Sequence, residues 1–124
     1  MTIKDLLFTK DHEWVKVEGD EAVIGISEYA QSELGEIVFV ELPAVGEKRE
    51  KESVFGTVEA VKAVSDLFMP VSGEVMAVNT ELEDKPELIN EEPYESGWMI
   101  RIKLSDPSQC ASLMNAETYE SFIK

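Results

Sequence analysis

The chain is poor in the residues from which most small sites are built: it has one cysteine and one histidine in 124 residues. Cys110 alone makes an internal disulfide impossible, so the fold does not depend on oxidation. Cys110 and His12 together fall short of the four ligands a structural zinc site draws on. His12 would have to serve any Ser-His-Asp triad, and Asp11 beside it faces the wrong way on a strand. Basic residues are scarce too: 11 Lys and Arg stand against 26 Asp and Glu, a net charge of −15. Such a chain repels phosphate backbones and anionic lipid, which argues against nucleic-acid and membrane-surface partners. The same field favours docking to positively charged partner surfaces. No apolar run approaches the length needed to cross a bilayer. No Gly-x-Gly-x-x-Gly and no phosphate-loop pattern occurs, so a nucleotide has no cradle. The acidic stretches Glu81-Leu82-Glu83-Asp84 and Glu91-Glu92 lack the spaced Asp/Asn and Gly of a calcium loop and read as a solvated face. The N-terminus, Met1 to Phe8, has neither the apolar core of a signal peptide nor Arg-rich transit character. The expected location is cytoplasmic, or the mitochondrial matrix if a presequence has been removed.

What is present is a series of short alternating runs. A hydrophobic fraction of 44% suits one domain with one modest core. Glu13-Trp14-Val15-Lys16-Val17 alternates as a strand, Glu18-Gly19-Asp20 turns it, and Ala22 to Ile26 completes a hairpin. Ser27 is suited to cap a helix running through Leu34, with Gly35 ending it. Ile37 to Val40 is a continuous apolar strand, closed by Pro43 and turned at Gly46. Lys48 to Lys51 reads as a solvated edge. Pro70-Val71-Ser72-Gly73 is a turn before a strand over Glu74 to Asn79. One helical turn is expected over Lys85 to Asn90. Trp98, Ile100, Ile102 and Leu104 alternate with Met99, Arg101 and Lys103 as a half-buried strand, and both tryptophans read as core. Asp106-Pro107-Ser108-Gln109 offers a cap, a first-position proline and a capping-box glutamine, with Cys110 behind them as a buried structural thiol. A last helix is expected from Ala116 to Phe122. The pattern predicts a mainly β protein, a two-sheet sandwich or flattened barrel with short terminal helices.

Lys62 stands apart from this pattern. Strands over Val54 to Ala60 and Ala63 to Phe68 flank it, leaving Val61-Lys62 at a hairpin tip between alanines. A two-residue hairpin turn ordinarily wants Gly, Asn or Asp, so local turn chemistry does not ask for a lysine there. A tethered carrier does ask for one: it needs a single amine held away from the body on a rigid protrusion. A solvent-exposed hairpin lysine is the plain alternative. A nucleophilic role with Ser65 is opposed by the acidic surroundings, which keep an exposed lysine protonated.

With these residues in view, the chain resembles the H-protein family of the glycine cleavage system. The resemblance runs through Thr9-Lys10-Asp11-His12-Glu13-Trp14-Val15, Ile24 to Gln31, and Leu34 to Pro43. It continues through the Lys62 segment, Pro70 to Val75, Asn79, Leu88-Ile89-Asn90, Pro93-Tyr94 and Gly97-Trp98. It departs at Ala60, where Ser is commoner, and at Phe8, which replaces the usual Tyr. The resemblance implies the flattened lipoyl/biotinyl-type β-barrel, a barrel-sandwich hybrid. It implies a single domain over 1–124, with a lipoyl-binding core over 22–104 and a C-terminal helical segment over 105–124. It also implies lipoate in amide linkage on Lys62, with the Ser72-Gly73 turn as pseudo-symmetric counterpart of that hairpin.

The implied protein is a non-catalytic monomeric carrier. Its partners would be the glycine-decarboxylating P-protein, the tetrahydrofolate-dependent T-protein, the flavoprotein L-protein and a lipoate-attaching enzyme. It would take the aminomethyl group from the first to the second and electrons to the third. Lysine stem and lipoyl chain together give roughly 14 Å of reach at standard bond lengths. A loaded, cationic end would gain from a cleft holding a carboxylate, and the expected cleft lies near Glu13 and Asp66 with His12 and Asp11 at its edge. Glu59 is the expected recognition contact for the attaching enzyme. Two alternatives share the scaffold: an H-like relay that donates lipoyl groups to other enzymes, and a biotinyl carrier. The latter family typically flanks its lysine with methionines, where this chain has Val61 and Ala63.

Overall fold

The computed structural model describes residues 3–124; Met1 and Thr2, part of the stretch read for a leader, lie outside the described residues. Ten strands and four short α-helices follow one another along the described chain. They are β1 (Leu7–Phe8), β2 (Glu13–Glu18), β3 (Glu21–Ile26), α1 (Glu28–Leu34), β4 (Ile37–Glu41), β5 (Lys48–Arg49) and β6 (Val54–Ala60). Then come β7 (Val64–Phe68), β8 (Gly73–Val78), α2 (Glu81–Asp84), α3 (Leu88–Glu91), β9 (Ile100–Leu104), β10 (Met114–Asn115) and α4 (Ala116–Phe122). Seven strands pair in the order β10-β1-β2-β3-β9-β8-β5, and β4-β6-β7 form a second sheet, all antiparallel. The sheets share one core, in which Val15, Ile24, Val75, Ile100 and Ile102 of the larger meet Ile37, Val58 and Leu67 of the smaller. This is the flattened two-sheet barrel expected, with its edges left open.

Local chemistry explains most element boundaries. Ser27 accepts the Ala30 N–H and caps α1, while Gly35 closes it at φ +86° with its N–H on the Gln31 carbonyl. Trp14 is fully buried against Gly25, where a Cβ would lie 2.7 Å from the indole ring, so only glycine leaves room. Its indole N–H donates to the Pro93 carbonyl at 2.8 Å. A second small core forms where Leu6, Phe8 and Trp14 meet Ala116 and Tyr119 of α4.

Several details differ from expectation. The helical turn expected over Lys85 to Asn90 is present as α3, with the Leu88 N–H on the Lys85 carbonyl and the Ile89 N–H on the Pro86 carbonyl, but a second short helix, α2, precedes it where only loop was expected. Each buries one side chain, Leu82 and Ile89, and Pro86 lies between them, where a continuous helix would lose a backbone bond. Strand β9 starts at Ile100, not Trp98, and it is Met99 that is fully buried while Trp98 is half-buried. The continuous apolar run in β4 splits: Ile37 and Val40 face inward, but a bulge leaves Val38 and Phe39 exposed. Asp106 caps a 3-10 helix over Pro107–Ser112, but Gln109 does not close a capping box. Its Oε1 accepts the Ser72 N–H at 2.6 Å instead, tying the C-terminal segment to the connection before β8. Cys110 in that helix is half-buried, not fully buried; burial pushes its thiol up, with Asp106 adding to the effect. Finally, β7 and β8 belong to different sheets, so the segment holding Ser72 crosses between sheets and is not a hairpin equivalent to the one at Lys62.

Candidate functional site

The β6–β7 hairpin closes through two residues. Ala60 N–H donates to the Ala63 carbonyl at 2.7 Å and Ala63 N–H returns to Ala60 at 3.4 Å, leaving Val61-Lys62 as the tip. Neither tip residue has positive φ; among the described residues outside glycine only His12 and Glu52 do. The turn therefore makes no demand for Gly or Asn, which is why Val and Lys are tolerated there. Val61 is 72% exposed and Lys62 is exposed as well. The lysine stem leans on the end of α1, since a Cβ at Gly35 would lie 3.3 Å from Lys62 Cε. Glu59 is exposed on β6, in register with exposed Phe39 and Val64 on either side.

The other end of β7 meets a carboxylate. Phe68 N–H donates to Glu13 Oε2 at 3.2 Å, and Thr9 Oγ1 donates to Glu13 Oε1 at 2.7 Å. Glu13 is only 2% exposed. Burial pushes its carboxyl up to about 7; the Thr9 and Phe68 hydrogen bonds pull the other way, and the Asp11 charge adds slightly to the rise. Thr9 organises this loop, because its Oγ1 also accepts the Asp11 and Glu13 N–H groups. Glu13 and Asp11 both line a cleft of about 620 Å³. Phe8, Phe68, Met69 and Pro70 supply its apolar wall, Lys10 and Lys51 its cations, and Ser112 to Met114 its C-terminal side.

The four residues expected around a cleft are thus divided. Glu13 and Asp11 share it, while Asp66 and His12 are not among its lining. Asp66 is exposed on β7, opposite Thr57. His12 turns away: its Nδ1 is 2.8 Å from the Tyr119 hydroxyl, which is 2.7 Å from Ser27 Oγ. Burial lowers the His12 pKa, partly offset by Asp11 and Glu33. That chain of polar groups fastens α4 and the start of α1 to the β1–β2 loop. Sequence reasoning did not single out Thr9, Lys51 or the 112–114 segment. Only Thr9 carried a signal, as a hydroxyl four residues ahead of a carboxylate at a hairpin loop. Among the described residues no group of three or more His, Cys, Asp and Glu side chains is arranged to hold a metal ion. No described helix is long and apolar enough to cross a membrane.

Comparison with known proteins gives a consistent answer. The family model described as Glycine cleavage H-protein matches residues 6–124. A Glycine cleavage system H protein from Bacillus cereus (strain AH187) is 59% identical over 115 residues, covering 93% of this chain and 91% of the relative. One from Staphylococcus carnosus (strain TM300) is 55% identical over 120 residues, covering 97% and 95%. The crystal structure of a glycine cleavage system H protein from Mycobacterium marinum superposes with a TM-score of 0.88 at 36% identity, covering 95% of each chain.

Proposed function

The chain belongs to the glycine cleavage H-protein family, and from that premise we propose that it is the lipoyl carrier of the glycine cleavage system, with lipoate in amide linkage on Lys62. The observation that carries this reading is the place of Lys62: an exposed amine on a two-residue tip, its stem supported and its end open. Such an amine fits acylation, because an attaching enzyme can reach it without opening the fold. When attached, the lipoyl group supplies a thiol–disulfide couple that carries the aminomethyl group and an electron pair between enzymes. The chain itself presents, shelters and docks; it is a non-catalytic component.

The cleft at the far end of β7 is the candidate shelter. An ionised Glu13 would pair with a cationic amine there, and the apolar wall would keep water away. Asp11 shares that cleft; Asp66 and His12, outside its lining, enter only as flanking groups. Neutralising Glu13 and Asp66 together is expected to shorten the lifetime of the loaded arm, and an unchanged hydrolysis rate would reject the shelter. Glu59 is the candidate contact for the lipoate-attaching enzyme; Glu59→Ala modified at the normal rate would remove that role. The partners are the P-, T- and L-proteins and the attaching enzyme, met through basic docking patches that complement a charge of −15. We take the protein as a cytoplasmic monomer and one domain, with 22–104 as lipoyl-bearing core and 105–124 as the helical segment that completes the cleft.

The test is the intact mass of the protein purified from its own organism, followed by peptide mapping. One lipoyl adduct on Lys62 is expected. An unmodified Lys62, in cells that lipoylate other proteins, would overturn the reading.

A further inference from the structure

The tip that carries Lys62 rests on the body through one hydrogen bond: Val61 N–H donates to the Glu36 carbonyl at 3.0 Å. The same peptide group that supplies this carbonyl supplies the Ile37 N–H, which donates to Asn90 Oδ1 at 2.9 Å. A single peptide unit is therefore held by Asn90 on one side and holds the tip on the other, and hydrogen bonds in such a series strengthen one another. Asn90, on α3, also donates from Nδ2 to the Gly35 carbonyl and to Gln31 Oε1, both at 2.8 Å. Its carbonyl oxygen and both of its donor hydrogens are thus in use. Gly35 is the residue against which the Lys62 stem lies. One half-buried side chain, distant in sequence, fixes both supports of the lysine: the peptide that anchors the tip and the glycine under the stem.

We infer that Asn90 is a positioning residue for Lys62. By holding the corner between α1 and β4 it sets the direction in which the amine leaves the body. A lysine side chain free in solvent samples many rotamers, and fixing it for reaction costs that freedom. An enzyme that must bring this amine to an acyl carbon gains when part of that freedom has already been removed. The inference rests on Lys62 being the attachment point.

The experiment uses the full-length, unmodified protein and two readouts. By NMR, the wild type is expected to show contacts between Lys62 Hε and Gly35 Hα and a protected Val61 amide. In Asn90→Ala those contacts vanish and the Val61 amide exchanges about tenfold faster, as loss of a supported hydrogen bond predicts, while β2 and β3 amides are unchanged. With purified attaching enzyme, free lipoate and ATP, kcat for modification falls several-fold and KM stays the same, because docking surfaces are untouched. Missing contacts in the wild type, or a folded Asn90→Ala with normal Val61 exchange and normal kcat, would overturn the inference. Should Asn90→Ala not fold, Asn90→Asp, which loses both donors, is scored by the same measures. A wild type that takes no lipoate on Lys62 would instead defeat the carrier reading, and it would leave the NMR result standing.

Discussion

Strand β7 has opposite chemistry at its two ends. At the Lys62 end the hydrogen bonds that hold the tip are main-chain ones, Val61 and Lys62 are exposed, and only the lysine stem rests against Gly35. At the Phe68 end the strand's own N–H binds a carboxylate that is almost wholly buried and raised to about 7. One end presents a group and the other withholds one. A carrier needs both: an amine any partner can reach, and a place where a reactive load is kept from water. The lesson is that burial, more than residue type, divides the labour, since the chain has 26 acidic residues and among the described residues only this carboxylate is buried.

The largest expected effect is at the exposed end. Lys62→Arg keeps charge and length but offers no acylable amine at ordinary pH. Lipoate attachment should fall to nothing by intact mass, while stability moves by no more than about 0.5 kcal/mol, as for other exposed changes. Any adduct of lipoyl mass on the variant would show that the site is elsewhere.

The buried end is tested by pH. A carboxyl raised from 4.5 to about 7 binds its proton more tightly in the folded than in the unfolded chain. Its contribution to stability is fully present below pH 4.5 and is lost as pH rises through about 7. The size is on the order of 3 kcal/mol. Glu13→Gln removes the titration and keeps the shape. Urea denaturation from about pH 5 to about pH 8 should therefore show the wild type losing ground against the variant. Parallel curves would mean that Glu13 is not perturbed.

The same contrast explains what could be read from the sequence. The Ser27 cap, the Gly35 stop, the β6–β7 hairpin and the final helix follow from local chemistry, and local chemistry is written in neighbouring residues. Lys62 was legible because local turn chemistry does not ask for a lysine at the tip, although the ordinary φ values of the turn accept one. The cleft was only half legible. Glu13 and Asp11 lie in one motif, but Lys51, Phe68 and Leu113 join them in the cleft from segments distant in sequence. His12 illustrates the limit: beside Glu13 in sequence, it points the other way, because Tyr119 comes from the far end of the chain to meet it. Asn90 and Gln109 were invisible as supports, since each acts on backbone groups remote in sequence.

Tyr119 offers a smaller test of how the buried end is built. Its hydroxyl joins Ser27 and His12, and its ring stacks on Phe8 at 4.3 Å. Tyr119→Phe keeps the stack and deletes the hydroxyl. The loss should be about 1–2 kcal/mol, seen as a lower urea midpoint with an unchanged slope. An unchanged midpoint would mean that water replaces the hydroxyl without cost.

The smallest effect belongs to the tip itself. Val61 is 72% exposed, so Val61→Ser should change stability by less than about 0.5 kcal/mol. Val15→Ser, at a position with no exposure, should cost several times more, because it removes apolar contacts and buries a hydroxyl. Measured side by side, the pair tests whether the tip is a platform independent of the core. A large loss at Val61 would mean that the tip's apolar surface is part of the fold, and the division between a presenting end and a withholding end would then fail.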